Sequence, residues 1–207
     1  MPLHALIDDC PPLQVAVWEM EESLPDLRKL IDLSDEDRQR LEMFRLDRRR
    51  KEWLSCRVAL QQMLSAYPAV CYANSGKPSL INDRRHISMS HTAGYAAVCL
   101  SEQPTALDIE ICSPRVEKVS TRFVHPAEVA YIPGDRRKEY LTVLWSAKET
   151  LYKYYDVYGV VFKEQFVIDP FELKEAGVLS ASFYHQQSVR NLKLYYKFTG
   201  DYTLVYC

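Results

Sequence analysis

The first half of the chain begins with a short apolar run and continues with a long helical pattern. Residues 13–18 carry β-branched side chains at alternate positions, which predicts a first strand. Ser34 then provides a helix cap ahead of three acidic residues, and a helical pattern extends to about Leu64, with a break expected near Leu46. The remaining predicted elements of this half are a turn at 74–78 and a hairpin of strands at 87–91 and 94–100.

The second half follows a similar plan. It begins with a predicted strand at 107–111, a helical region at 126–132 and a second long helix at 140–155. Three further strands are predicted at 166–168, 181–184 and 192–198. The order of a strand, a long helix and further strands therefore occurs twice in the chain.

A weak internal sequence similarity accompanies this repeated order of elements. The segments 92–98 and 199–205 share a threonine, a tyrosine and a valine in register, although three matches can arise by chance between two hairpin strands. We predict an α+β fold built from two similar halves, residues 1–104 and 105–207, with the boundary in the polar turn around Pro104. Because one chain would then supply both halves, we expect a monomer.

Composition narrows the class of protein. The chain has 207 residues, of which 47% are hydrophobic and 26% are charged, as in ordinary globular proteins. The formal net charge of −2 argues against a nucleic-acid partner. No signal peptide and no apolar run of membrane-spanning length is apparent, and the six cysteines form no Cys-x-x-Cys pair. These features predict a reduced, cytoplasmic protein without a membrane partner.

Two carboxylates lie two positions apart in the strand predicted at 107–111. Residues i and i+2 of a strand project to the same face, so Asp108 and Glu110 point one way while Ile109 and Ile111 face the core. Such close anions need a counter-charge, and a hard divalent cation such as Mg²⁺ prefers oxygen ligands. The alternative is a solvated edge strand that carries two acids.

The second long helix adds a third carboxylate and a lysine. Glu149 and Lys153 are four positions apart and therefore neighbours on one helix face. Glu149 could complete a metal site or accept a proton while Lys153 faces phosphate groups. A plain ion pair within the helix is the alternative.

Several residues of the first half suit anions. Lys77 stands on a turn between Gly76 and Pro78, and a hydroxyl and an imidazole follow in Ser90-His91. Adjacent strand residues face opposite ways, so these two are not expected to form a nucleophile and its base, and a core histidine is the alternative. Arg57 lies among apolar neighbours and needs an anionic partner.

Taken in order, these motifs resemble those of the Sfp-type 4′-phosphopantetheinyl transferases, in the holo-acyl-carrier-protein synthase superfamily. The shared pattern is an arginine-bearing helix, Gly-Lys-Pro, Ser-His-Thr, Asp-x-Glu and Trp-x-x-Lys-Glu-x-x-x-Lys. The resemblance spans roughly residues 34–162, and it implies a fold of two similar α+β halves related by pseudo-twofold symmetry. One departure is Asp37, at a helix position that is commonly basic in the family.

The resemblance implies a Mg²⁺-dependent enzyme, with Mn²⁺ as an alternative ion. It would move 4′-phosphopantetheine from coenzyme A to a serine of an apo acyl or peptidyl carrier protein and release adenosine 3′,5′-bisphosphate. Asp108, Glu110 and Glu149 would bind the metal, and Lys153 would steady the phosphates. Glu149 would take the serine proton, with Glu128 as the rival base. The implied coenzyme A contacts are Arg40, Arg57, Gly76, Lys77, Pro78, Ser90, His91, Thr92 and Lys153.

Two other functions stay open at this point. One is a Mg²⁺-dependent phosphate-transfer enzyme that does not use coenzyme A. The other is a non-catalytic module that binds carrier proteins, although the intact set of acidic residues and lysine weighs against it. The carrier could serve fatty-acid, polyketide or peptide synthesis. Residues 116–139 combine apolar and basic side chains and are predicted to dock an acidic carrier, with a mobile solvated loop as the alternative.

Overall fold

The structure, a computed structural model, describes residues 3–10 and 13–207, with side chains from residue 13 onward. The chain divides into two compact units, and the change from one to the other falls between Thr105 and Ala106. Each unit combines helices with antiparallel strands and has its own apolar core. The predicted α+β class is therefore confirmed.

Unit 1 is built on a four-stranded antiparallel sheet in the order β1-β2-β6-β5. Helix α3 packs on β2, β5 and β6. The elements are β1 Leu3–Cys10, β2 Leu13–Glu19, α1 Leu24–Lys29, α2 Asp35–Met43, α3 Asp47–Leu64, β3 Val70–Tyr72, β4 Pro78–Leu80, β5 His86–Thr92 and β6 Tyr95–Ser101.

The helical pattern of unit 1 is interrupted where the sequence predicted a break. The Ser34 hydroxyl accepts a hydrogen bond from the Asp37 N–H and starts α2, and Phe44 is extended with φ −71° and ψ 121°, which separates α2 from α3. The predicted turn and hairpin are also present, with Gly94 at φ +85° between the two strands. The prediction of residues 13–18 as the first strand was wrong in order, because β1 precedes it, and α1 was not predicted.

Unit 2 contains a five-stranded antiparallel sheet in the order β7-β11-β10-β9-β8, with helix α5 packed on it. Two 3₁₀ turns, Ser120–Arg122 and Pro126–Tyr131, connect the helices α4 and α5. The remaining elements are β7 Leu107–Ile111, α4 Arg115–Val119, α5 Arg137–Tyr155, α6 Phe162–Gln165, β8 Phe166–Ile168, β9 Ala176–His185, β10 Ser188–Phe198 and β11 Tyr202–Tyr206.

The core of unit 2 lies between α5 and the sheet. Leu144, Leu151, Phe123 and Phe183 are fully buried there, and burial of such side chains stabilises the unit. The strand predicted at 107–111 agrees with β7, while β9 and β10 form a much longer hairpin than predicted. The helical region predicted at 126–132 is a 3₁₀ turn.

Two general properties follow from the described residues. No helix among them has the length and apolar character required to span a bilayer. The five cysteines whose side chains are described, Cys56, Cys71, Cys99, Cys112 and Cys207, are all free thiols.

Candidate functional site

Asp108 lies at the centre of a polar contact between β7 and α5. Its side chain is almost fully buried. One carboxylate oxygen accepts from Lys153 Nζ at 2.7 Å, and the other accepts from Ser146 Oγ at 2.9 Å. Lys153 Nζ also donates to the Leu107 carbonyl at 3.1 Å. Asp108 is therefore buried and bonded to α5, rather than exposed to solvent on the strand. Lys153 forms its ion pair with this residue of β7.

Glu110 occupies the next position along the same face of β7. Its Oε1 accepts a hydrogen bond from the indole Nε1 of Trp145 at 3.3 Å. Ile109, between the two acids, is fully buried, as the alternation predicted. Both carboxylates of the strand thus face side chains of α5.

Glu149 completes the group from α5. It is half-buried, and its surroundings raise the pKa of its carboxyl to about 7, with burial as the largest cause. The nearby carboxylates of Asp108 and Glu110 contribute to this rise, while the Lys153 ammonium acts in the opposite direction. The three carboxyl groups and the Lys153 ammonium therefore interact electrostatically.

The predicted metal ligands Asp108, Glu110 and Glu149 are close enough to interact electrostatically, but they do not form a metal-binding group in the described part of the chain. Among the described residues, no three His, Cys, Asp or Glu side chains are grouped so that they could hold a metal ion. The Asp108 oxygens are turned instead to Lys153 and Ser146. The chemistry of the donor set nevertheless fits Mg²⁺, because all three groups offer the carboxylate oxygens that this ion prefers.

Glu128, the predicted rival base, is in a different environment. It has no exposed surface, and its Oε2 accepts from Lys148 Nζ and from the His125 N–H, both at 2.7 Å. Its Oε1 accepts from the Ile168 N–H at 2.9 Å. Burial lowers the pKa of Lys148, although Glu128 opposes that shift. A carboxylate with both oxygens bonded inside the core is poorly placed to meet a substrate.

Arg57 of unit 1 has found its anionic partner within the protein. Its Nη2 donates to Asp37 at 3.2 Å and its Nη1 to the Pro68 carbonyl at 3.2 Å, and the residue is 1% exposed. Asp37 also accepts from the Tyr67 hydroxyl. The unusual acid at position 37 therefore neutralises Arg57. This burial and pairing favour a structural role for Arg57, and its contact with coenzyme A stays a prediction.

Other predicted anion contacts of unit 1 remain accessible. Arg40 is exposed and lies over the Tyr72 ring, with its guanidinium carbon 3.9 Å from the ring centroid. Tyr72 pairs with Pro78 in the β3–β4 hairpin, whose turn holds Lys77 and Gly76. Gly76 adopts φ +88°, a conformation that L side chains disfavour. The Gly-Lys-Pro segment and Arg40 are thereby brought to the same small sheet.

The Ser-His-Thr segment lies on β5. Ser90 and Thr92 are buried, whereas His91 is half-buried and its Nε2 accepts from Arg49 Nη1 at 3.0 Å. His91 Nδ1 lies 3.5 Å from the buried carboxylate of Glu52. Ser90 and His91 thus differ in burial, as the alternation of side chains along a strand predicts.

Ser146 was missed from the sequence, although its spacing carries a signal. Residues 146, 149 and 153 recur at three and four positions, so they share one face of a helix. Once Glu149 and Lys153 are singled out, the polar Ser146 belongs with them. Glu52 and Arg49 carry no comparable signal, because their link to His91 joins distant parts of the sequence.

The fold and this group of side chains define a class of protein. It is an α+β protein in which an acidic strand and a long helix place three carboxylates and a lysine near one another. The profile of the 4′-phosphopantetheinyl transferase superfamily matches residues 104–207, which contain the entire group. The chain belongs to this superfamily, as the sequence motifs predicted.

Individual relatives agree with that membership. The 4′-phosphopantetheinyl transferase AcpT of Salmonella typhimurium is 29% identical over 112 residues, which cover 51% of this chain and 58% of the relative. The AcpT of Salmonella typhi shows the same identity over the same length. The chain thus spans little more than half the length of these curated relatives.

Proposed function

We propose that this protein transfers 4′-phosphopantetheine from coenzyme A to a serine of an apo acyl or peptidyl carrier protein, in a reaction that depends on Mg²⁺. The observation that carries the proposal is the group formed by Asp108, Glu110, Glu149 and Lys153, which lies within the segment matched by the superfamily. Both AcpT relatives are 4′-phosphopantetheinyl transferases, which supports the same type of transfer for this protein.

The three carboxylates are the proposed ligands of the metal. A bound Mg²⁺ would supply positive charge at the pyrophosphate of coenzyme A. Lys153 extends from the same helix face and adds a second cation, which suits the charge that develops during phosphoryl transfer. Lys153 and Ser146 both donate to Asp108, which fixes the orientation of this proposed ligand.

The proposed reaction exchanges one phosphorus–oxygen bond for another. The serine oxygen attacks the β-phosphorus of coenzyme A, and the bond from this phosphorus to adenosine 3′,5′-bisphosphate breaks. The proton of the serine hydroxyl passes to a carboxylate of the enzyme. Positioning and electrostatic stabilisation, rather than covalent catalysis, supply the rate enhancement.

Glu149 is the better candidate for the proton acceptor. Its side chain is half-buried rather than fully buried, and it lies near Asp108, Glu110 and Lys153, so it can meet a substrate hydroxyl as a general base requires. Glu128 has no exposed surface and both of its oxygens accept hydrogen bonds. We therefore assign the proton transfer to Glu149 and a structural role to Glu128.

The nucleotide end of coenzyme A is assigned to unit 1. Arg40 and Lys77 supply cations beside the exposed surface of the β3–β4 hairpin, and Gly76 and Pro78 shape its turn. Ser90, His91 and Thr92 of β5 add hydroxyl and imidazole groups. Arg57 supports this region indirectly, because its guanidinium packs over the Trp53 ring at 4.8 Å and the Tyr72 ring at 5.8 Å.

Internal symmetry and cellular context complete the proposal. In each unit a long helix packs on an antiparallel sheet, α3 on β2, β5 and β6, and α5 on β7, β10 and β11. We propose that residues 1–104 and 105–207 are two similar halves related by pseudo-twofold symmetry, a proposal supported by the helix-on-sheet packing that both units share. We propose a cytoplasmic monomer that meets its carrier through residues 116–139.

A direct assay tests the proposed function. The protein is incubated with coenzyme A, Mg²⁺ and an apo carrier protein, and the carrier is weighed by mass spectrometry. A mass increase of one phosphopantetheine arm supports the proposal, and its loss on chelation of Mg²⁺ supports the metal requirement. Asp108→Ala should abolish transfer, while Glu164→Gln, which alters an exposed carboxylate of the same unit, should not. An unmodified carrier with the wild-type protein would contradict the proposal.

A further inference from the structure

The buried ion pair of Glu128 and Lys148 ties together three parts of unit 2. Both side chains are 0% exposed, and their charged atoms are 2.7 Å apart. Glu128 also accepts from the backbone N–H groups of His125 and Ile168, and Lys148 Nζ donates to the Phe123 carbonyl at 2.7 Å. One ion pair thus joins the turns before α5, the helix itself and strand β8.

Stability alone does not account for this pair. Removing two charges from water is costly, and apolar residues of similar volume usually serve a core equally well or better. The surroundings are apolar, since Phe123, Phe166 and Leu151 are fully buried in the same cluster. What the pair provides, and an apolar contact does not, is direction, because its four hydrogen bonds fix where Lys148 points.

The direction of Lys148 determines the rotation of α5 about its axis. Successive helical residues are separated by roughly 100°, so Lys148 projects from about the opposite side of α5 to Ser146 and Lys153. Those two residues bind Asp108 of β7. Turning α5 by ~20° would move a side-chain group ~6 Å from its axis by about 2 Å. Such a displacement is large for a site that acts by positioning.

We infer that Glu128 and Lys148 are positioning residues, which hold α5 in the rotation that presents Glu149 and Lys153 to Asp108 and Glu110. The inference rests on the proposed transferase function for its catalytic consequence, but its structural part concerns these side chains alone. It also assigns a function to Glu128 that requires no contact with the substrate.

The principal test replaces the ion pair by apolar residues. The double variant Glu128→Leu/Lys148→Met should melt at the same temperature as the wild type or higher. Its kcat for carrier modification should nevertheless fall by about 100-fold, the scale expected for a misplacement of about 1 Å. The KM for coenzyme A should change less than the kcat. Leu151→Met, a volume-conserving change on the same buried helix, is the matched control and should retain wild-type kcat.

A spectroscopic signal reports the rotation independently of activity. The Trp145 indole N–H donates to Glu110 of β7, so its ¹H–¹⁵N resonance should move in the double variant and stay in place in the control. If the double variant does not fold, Glu128→Gln replaces it, because glutamine keeps the volume of the side chain and one of its oxygens. It should shift the same resonance and lower kcat at least tenfold.

The outcomes separate this inference from others. A wild-type kcat with an unmoved Trp145 resonance would overturn it. A fall in kcat with an unmoved resonance would overturn it as well, and would favour Glu128 as a group that contacts the substrate. If the wild-type protein transfers nothing, the proposed function fails, while the Trp145 resonance still decides whether the ion pair orients α5.

Discussion

Neutralising Glu149 should stabilise the metal-free protein while abolishing its activity. Glu149→Gln keeps the shape of the side chain and removes a charge that lies half-buried beside Asp108 and Glu110. The pKa of Glu149 rises from its ordinary value of 4.5 to about 7. Because a tenfold change in an acid constant is worth roughly 1.4 kcal/mol, the ionised carboxylate costs the folded state up to about 3 kcal/mol. Solvent screening at this position lowers the expected gain to about 1–3 kcal/mol.

The pH dependence gives the sign of the effect. Below pH 4.5 the carboxyl is protonated in both the folded and the unfolded chain, so its ionisation costs nothing. As the pH rises from 4.5 to about 7, the unfolded chain releases the proton first, and the folded state of the wild type loses stability. The advantage of Glu149→Gln should therefore appear across this interval and be complete above it.

Chemical denaturation in the presence of a chelator, at pH 4 and pH 8, measures this advantage. Millimolar Mg²⁺ should then stabilise the wild type more than the variant, because a ligand that binds only the folded state raises its stability. If the wild type and Glu149→Gln differ in unfolding free energy by the same amount at both pH values, the surroundings of Glu149 do not destabilise its ionised form, and the argument is refuted.

Three further predictions follow from particular contacts. Asp108→Asn should lower kcat by at least about 100-fold and weaken Mg²⁺ binding measured by calorimetry; unchanged transfer would exclude Asp108 as a ligand. Arg57→Met leaves Asp37 buried without its partner and should reduce the free energy of unfolding by about 3 kcal/mol in urea titration, whereas a change below 1 kcal/mol would mean that the pair contributes little. Gly177→Ala places a Cβ 2.7 Å from the Tyr196 ring and should destabilise the protein by about 1–3 kcal/mol, which a thermal melt would detect; an unaltered melting temperature would show that the ring moves aside freely.

Local patterns predicted much of the fold and part of the site. The cap at Ser34 and the helical periodicity located α2 and α3, and strand alternation placed Asp108 and Glu110 on one face of β7. These signals act over a few residues and can be read directly. The N-terminal strand β1 was not predicted from the sequence. The full length of the β9–β10 hairpin was also missed, because Gly177 and several serines weaken the strand pattern in that hairpin.

Long-range pairing was beyond the reach of sequence patterns. The need of Arg57 for an anion was recognised, but its partner is Asp37, twenty positions earlier, rather than a bound ligand. The burial of Glu128 was likewise not predicted, because nothing local shows that Lys148 and the Ile168 N–H converge on it. In both cases the deciding fact is the position of a group brought close only by tertiary packing.

The pairing of β7 has a consequence for how the protein is made. Within the described part of its sheet, β7 is bonded to β11 alone, with Asp108 opposite Val205. All of α5 and the strands β8, β9 and β10 are synthesised between these two partners. A chain growing on the ribosome therefore contains the acidic strand long before its partner β11 is made, and it can form this distant contact only after β8, β9 and β10 have been synthesised. Nascent chains should thus carry the carboxylates while lacking the frame that holds them.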